Sequence, residues 1–388
     1  MPRAKLYVDT EANVDGKSML TGEPGFTSDT KKLVVYDGTT KVKFSNDFFL
    51  STWYWADTSF YAKTVGAAAD RYIVLSPNAM QIDIGGSSYV LTSQATINLS
   101  LEATWDTISG TDYRTAANRA GKDFYIYAVH PVSGLIPSFK ISANSTVPSG
   151  YSASTSRKLG GFHCLCVAAG TISSHPASGY LAGDIIPNSV WDLKFRSSGL
   201  QAGMAYVNLI NKWVFIYLQS GTSTTTASIN GATITDTRMW YDHCDDVAAV
   251  GCFLPTDSQF QIFAEGSNQG TNINGGGDPV TTGGHVDSTT TRRMISNFFL
   301  EDCCGVLSQW LQDHAYQPGS GSAGWKNVVG GTKGQIYLLA DNAEVRVSAG
   351  GDWANGVNAG SRSRGFNSYS WLLVASIGAR GLSDNVVK

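Results

Sequence analysis

The sequence is poor in charge: Asp, Glu, Lys and Arg together supply 15% of its residues, against about 25% in an ordinary soluble domain. The formal net charge is −3 and no basic stripe is present, so the electrostatic footprint of a nucleic-acid binder is missing. No apolar run approaches the roughly 18 residues of a membrane-spanning helix. The amino terminus, Met1-Pro2-Arg3-Ala4-Lys5, leads into polar sequence and not into the apolar segment of a secretion signal. Membrane insertion is therefore not expected, and the chain is expected to stay in the cytoplasm or leave the cell by lysis.

Cysteine is sparse and unpatterned. Cys164, Cys166, Cys244, Cys252, Cys303 and Cys304 contain no C-x-x-C pair, so a zinc site of the usual spacing is excluded and buried free thiols are expected. Cys164 and Cys166, two apart on a strand beside Phe162, Leu165 and Val167, are expected to share one face. Also missing are the G-x-S-x-G, H-E-x-x-H and P-loop spacings. The histidines are scattered. Only His243, beside Asp242 and Asp245-Asp246, has an acidic setting, and a structural or solvated role is favoured there over a cation site. Gly275-Gly276-Gly277 before Asp278-Pro279 lacks the strand and helix that frame a phosphate loop and reads as surface loop. No catalytic residue, metal or cofactor is expected.

What the sequence has is glycine, 42 residues of it, and aromatics at 11%, enough bulk for real cores and many turns. A β-rich α+β chain in three parts follows. Residues 1–45 read as a small strand unit (Leu6-Tyr7-Val8, Lys32 to Tyr36, and a turn at Asp37-Gly38) too short to fold without association. Residues 46–180 carry strand-like runs, among them Tyr72–Leu75, Ser88–Leu91, Ala95–Leu101, Phe124–Val129 and Ser138–Ile141, separated by turns such as Gly85-Gly86 and Pro148-Ser149-Gly150. Such spacing predicts a β-sandwich-like middle domain. From 181 to 388, Asn188 or Ser189 is expected to cap a short helix carrying Val190, Trp191 and Leu193. Ala205–Ile210 and Trp213–Leu218 form a hairpin through Asn211-Lys212, residues 266–284 a long loop, and Gln335–Leu339 a strand. Leu300, Cys303, Cys304, Leu307, Trp310 and Leu311 recur at three- and four-residue steps and predict an amphipathic helix. Trp191, Trp213, Trp240, Trp310 and Trp325 sit beside apolar neighbours and read as core.

The tail, 345–380, is punctuated by Gly350-Gly351, Trp353, Asn355-Gly356, Ala359-Gly360 and Ile377-Gly378-Ala379-Arg380-Gly381. The residues between these marks obey neither a helical nor a strand period, as expected of a surface that is not required to pack.

This tail, with Gly183-Asp184-Ile185-Ile186-Pro187-Asn188-Ser189-Val190-Trp191-Asp192-Leu193 and the Glu301-Asp302-Cys303-Cys304-Gly305 to Gln309-Trp310-Leu311 segment, resembles the variable proteins of diversity-generating retroelements. Their C-terminal domain is a C-type lectin fold related to formylglycine-generating enzymes. Thr21-Gly22-Glu23, Asp29 to Val35 and Asp37-Gly38-Thr39-Thr40 resemble the β-prism segment of phage tropism determinants. The resemblance implies a β-prism-like trimerisation and attachment segment at 1–45 and a C-type lectin-like variable domain at 181–388.

It further implies a homotrimeric receptor-binding protein of a phage tail fibre. Such a protein is made in the host cytoplasm, resides in the virion, and has other fibre proteins and a host-surface protein or glycan as partners. The family mutagenises template adenines, so varied codons do not reach Trp, Lys, Glu, Gln or Met. On that basis Val345, Val347, Asp352, Ala354, Val357, Gly365, Phe366, Ser368, Tyr369, Leu372, Leu373 and Val374 are candidates for ligand contact. Trp353, Gly356, Arg362, Trp371 and Arg380 are candidates for scaffold, the arginines pinning loops to backbone carbonyls. Phe366, Tyr369 and Leu372 are then exposed apolar groups. The calcium motifs of sugar-binding lectins, Glu-Pro-Asn and Gln-Pro-Asp, do not occur, and no cysteine follows Cys304 as it does in the enzyme relatives. The rival expectations are a glycan-degrading tail enzyme using carboxylates near 242–246, and a purely structural fibre subunit.

Overall fold

The computed structural model describes residues 80–91, 95–106, 110–131, 137–193, 195–317, 322–327, 333–338 and 342–387, and six short strands before residue 80. Those early strands include Tyr7–Asp9, Pro24–Thr27, Leu33–Tyr36 and Lys41–Phe44, one sheet in chain order whose first pair is parallel and the rest antiparallel. The expected turn at Asp37-Gly38 lies outside the described residues. The described chain is β-rich with few helices.

The middle region is built on an antiparallel sheet ordered Ser138–Ser142, Asp123–Val129, Ser156–His163, Trp191–Asp192. Phe124, Ile126 and Ala128 face one way, as a two-residue period requires, and pack with Ile82, Leu99, Trp105, Ile141 and Phe162 in a continuous core. A hairpin, Met80–Ile84 with Ser87–Leu91, packs against this core; its turn is Gly85-Gly86, both at positive φ, as a tight two-residue turn demands. Gly160 and Gly161 pair with Asp192 and Trp191. A Cβ on Gly160 would stand 2.1 Å from the Trp191 carbonyl oxygen, so only glycine permits this approach. The short helix expected to carry Val190, Trp191 and Leu193 is absent: a single 3-10 turn at Pro187–Ser189 gives way to this strand.

The C-terminal region holds two sheets. Phe195–Ser197, Leu382–Val387, Lys212–Phe215 and Met204–Val207 form one, so the end of the chain is clamped between strands from near residue 200. The expected hairpin is present, with Asn211 in the left-handed conformation at its turn. The other sheet is six-stranded, in the order Gly324–Asn327, Gln335–Leu338, Gly360–Ser368, Ala343–Gly350, Ser308–Gln317, Ile377–Gly378. Helices Trp240–Ala249 and Asp257–Phe263 pack beside these sheets, the second contributing Phe260 and Phe263 to a core with Val214, Ile216, Leu300 and Leu311.

The helix expected through residues 300–311 does not form. Phe299, Asp302 and Gly305 all have positive φ, and Ser308 already begins a strand. Every residue from Leu300 to Leu311 is buried, so the three- and four-residue spacing of apolar groups marked no solvent-facing stripe. Glu301 and Asp302, which an amphipathic helix would expose, are paired inside with Arg293 (2.6 Å) and His285 (3.0 Å). Burial penalises the charged forms of both acids. The neighbouring Arg293 does not offset this at Glu301, whose pKa is raised, whereas His285 and the Gly283 amide hold Asp302 below the usual range.

The cysteines are all free, and all but Cys244 are fully buried. Cys164 and Cys166 do not share a face, because the strand ends at His163; Cys164 enters the middle core and Cys166 the C-terminal one.

Candidate ligand-binding site

The six-stranded sheet turns the tail into one face of a cavity. Gly360–Ser368 runs antiparallel to Ala343–Gly350 and parallel to Gln335–Leu338, with register shifts between Arg346 and Ser348 and between Ala349 and Gly350. Beyond Ser368 the chain leaves the sheet and returns at Ile377, pairing in parallel with Ser308. Between these strands lies an open cavity of ≈ 320 Å³.

Ser348, Ser363, Gly365 and Ser368 come to it from the central strands, and Asp352 and Asn355 from the turn after Gly350-Gly351. Leu372, Val374 and Ser376 come from the returning segment, and Trp325 and Tyr337 from the edge hairpin. The two aromatic rings meet edge to face, centroids 5.2 Å apart. The Asp352 carboxyl is raised above its ordinary pKa by burial, opposed by the Ala354 amide on its Oδ1 (2.9 Å) and by Asn355.

Of the residues expected to contact ligand, Asp352, Gly365, Ser368, Leu372 and Val374 line this cavity. Ala354, Val357 (76% exposed) and Leu373 (53%) stand in solvent away from it. Phe366, Tyr369 and Leu372 are not the exposed groups expected: all three are half-buried, Phe366 against the core. Val345 and Val347 must be corrected: at 1% and 3% exposure they point into the interior with Ala349, the inward positions of a strand whose two-residue period the tail does possess.

Among the scaffold candidates, Arg380 is fully buried and donates to the backbone carbonyls of Phe215 (2.6 Å), Ile216 (2.8 Å) and Glu301, and to Gln309 Oε1 (3.0 Å). It ties three separate segments beneath the sheet. Trp353 is half-buried against Leu218, Ile234 and Val306, its amide bonded to the Val306 carbonyl (3.0 Å). Gly356 begins a one-turn 3-10 helix at φ 50. Arg362 is exposed, its backbone amide bonded to the Lys333 carbonyl. Trp371 is 61% exposed and stacks on Tyr369, centroids 5.2 Å and planes 6° apart.

Sequence reasoning missed Trp325, read as core, together with Tyr337, Asn355 and Asn367. The available signal was the short strand pair itself, which puts Trp325 directly opposite Tyr337. It also missed the base of the tail loop: the amide of Trp240 binds the Ser370 carbonyl, and the Arg346 guanidinium lies 4.0 Å over the Trp240 ring.

The acidic cluster at 242–246 is occupied internally. His243 Nδ1 meets Gln219 Oε1 (2.8 Å), and Gln219 Nε2 donates to Asp246 (3.0 Å). Asp246 also accepts from the Ser223 amide (2.8 Å) and pairs with Arg238. Asp242 accepts from the Met239 amide at the helix start. Burial pushes the His243 pKa down to about 4. Among the described residues there is no grouping of three or more His, Cys, Asp or Glu able to hold a metal, and no helix long and apolar enough to cross a membrane.

Residues 79–192 match the family described as the Mtd second domain. The chain is 28% identical over 292 residues to the tail fiber receptor-binding protein of Bordetella phage BPP-1, covering 69% of this chain and 72% of that protein. Among solved structures, the Major Tropism Determinant U1 variant superposes with a TM-score of 0.63 at 24% identity, covering 98% of this chain and 99% of the other. The P3c variant gives the same TM-score and identity over 99% and 100%. The chain thus resembles phage tropism determinants in fold along nearly its whole length.

Proposed function

We propose that this protein is the receptor-binding protein of a phage tail fibre, a tropism determinant that presents a diversified contact surface on a C-type lectin-like domain and is carried in the virion. The observation that supports it best is the convergence of nine tail residues between Asp352 and Ser376 on one open cavity, in a chain whose fold is similar to tropism determinants along nearly its whole length. Arg380 ties Gln309 of the sheet to the backbone of Phe215, Ile216 and Glu301, so exposed side chains can change while the frame holds. The burial of His243, with Nδ1 on Gln219, and the bonds that Asp246 accepts from Gln219, Ser223 and Arg238 favour a structural role for the 242–246 cluster over a glycan-degrading one. The remaining parts of the reading are a β-prism-like N-terminal segment, a sandwich-like middle domain, a homotrimer, a host-surface receptor and diversification by a retroelement.

The test is a combined exchange of Asp352, Asn367 and Leu372, which line the cavity, in the full chain. Binding to host cells should change by tenfold or more while the melting temperature moves by no more than a few degrees. Unchanged binding with an unchanged melting temperature would refute the assignment of the contact surface.

A further inference from the structure

The cavity's chemistry is more specific than "receptor". Ser308, Ser348, Ser368 and Ser376 bring hydroxyls and Asn355 and Asn367 bring amides, groups that both donate and accept. Ser363, buried in the wall, has a hydroxyl with no hydrogen-bond partner in the protein, and a buried polar atom left in that state is costly. Among the described residues, no lysine, arginine or histidine lines the cavity. The one carboxylate among the described lining residues, Asp352, already accepts the Ala354 amide. Trp325 and Tyr337 line the cavity as aromatic walls, and aromatic rings suit weakly positive C–H groups. At ≈ 320 Å³ the space lies at the small end of ligand sites, which span about 300–1,000 Å³.

Building on the receptor-binding reading, we propose that this cavity takes the terminal unit of a neutral saccharide, with Trp325 as its aromatic wall and Asn367 as a hydrogen-bonding contact. Neutral sugars alternate hydroxyls with C–H faces, matching both halves of the lining. An anionic sugar finds no counter-cation and faces Asp352. Trp325 lies outside the tail, so it would be a constant element of a site whose other residues change.

The test is saturation-transfer NMR and calorimetry on the full chain. The probes are neutral hexoses, N-acetylhexosamines and their disaccharides, with sialic and glucuronic acid as charged counterparts. Saturable binding of a neutral probe, at least tenfold tighter than either acid, is expected. Trp325→Ala should weaken it tenfold or more, and Asn367→Ala, at an exposed position whose loss leaves the fold intact, severalfold. Preference for an acidic sugar, or indifference to both substitutions, overturns the inference. Absence of sugar binding while the chain still adheres to host cells overturns it and leaves the proposed function standing. Adhesion that survives periodate treatment of the cells but not protease assigns the site to a peptide and does the same. Loss of adhesion altogether would count against both.

Discussion

At the scale of single residues, the tail divides by burial and not by residue type. Val345 and Val357 are the same amino acid, yet one is 1% and the other 76% exposed. Val345→Ser or Val347→Ser removes buried methyl groups and inserts a hydroxyl, and each should cost about 2–3 kcal/mol in urea unfolding. Val357→Ser should stay within about 0.5 kcal/mol. Equal effects at the three positions would show that the inward register is wrong. His243 supports a second expectation. Its folded pKa, about 4, lies below the roughly 6.5 of an unfolded histidine. The unfolded chain therefore binds the proton first, and stability present above pH 6.5 is lost as pH falls toward 4, by about 3 kcal/mol in total. His285 titrates in another window. Burial disfavours its cation, but Asp302 outweighs burial and raises its pKa, so its contribution is complete below pH 6.5 and fades only as pH rises. The difference in stability between wild type and His243→Gln, followed from pH 7 to 4.5, should shrink steadily on acidification; a constant difference would disprove the buried neutral imidazole.

At the scale of elements, several strands were legible from local alternation, but Ala343–Gly350, whose two-residue period turns Val345 and Val347 inward, was not. Asp123–Val129 and the Met204–Phe215 hairpin lie where apolar periodicity and turn residues put them. Residues 300–311 were not legible, because a segment enclosed on every side carries no amphipathic signal and its apolar spacing is accidental. Helix Asp257–Phe263 was overlooked although Thr256 and Gln259 form a capping box, the Thr256 amide donating to Gln259 Oε1 at 2.9 Å. The cavity was half legible. Its tail residues followed from a family pattern, but Trp325 and Tyr337 reach it only through sheet order, which pairs Gln335–Leu338 with a strand about 25 residues later, a long-range choice that local sequence does not encode. The turn that carries Asp352 depends on backbone alone. Gly350 has φ 95, and a Cβ there would lie 2.5 Å from the Cys303 carbonyl oxygen. Gly350→Ala should therefore cost about 2–3 kcal/mol, combining left-handed strain with a backbone clash. Gly356, at φ 50 with open space around it, should lose only about 1 kcal/mol on the same change. Matching losses in thermal unfolding would mean that the close approach to Cys303 is not what fixes the turn.

At the scale of the whole molecule, a single small cavity with polar walls and a carboxylate is too weak to hold a particle to a cell in the proposed role. It offers few charge-assisted contacts, and the proposed diversification would keep the site from being optimised for one partner. Strong attachment must come from repetition, and the proposed trimer supplies it: once one copy is bound, the others search a small volume at high effective concentration. Two measurements follow. Light scattering of the 41.4 kDa chain should give three times that mass in solution. On surfaces coated densely with host envelope fragments, apparent affinity should exceed the value on sparse coatings by about 10²–10⁴. A monomer by mass would remove the proposed trimer, and equal affinity at both densities would mean that each site binds tightly alone. The polar, shallow chemistry of the cavity would then be insufficient to account for attachment, and residues outside the described surface would have to carry it.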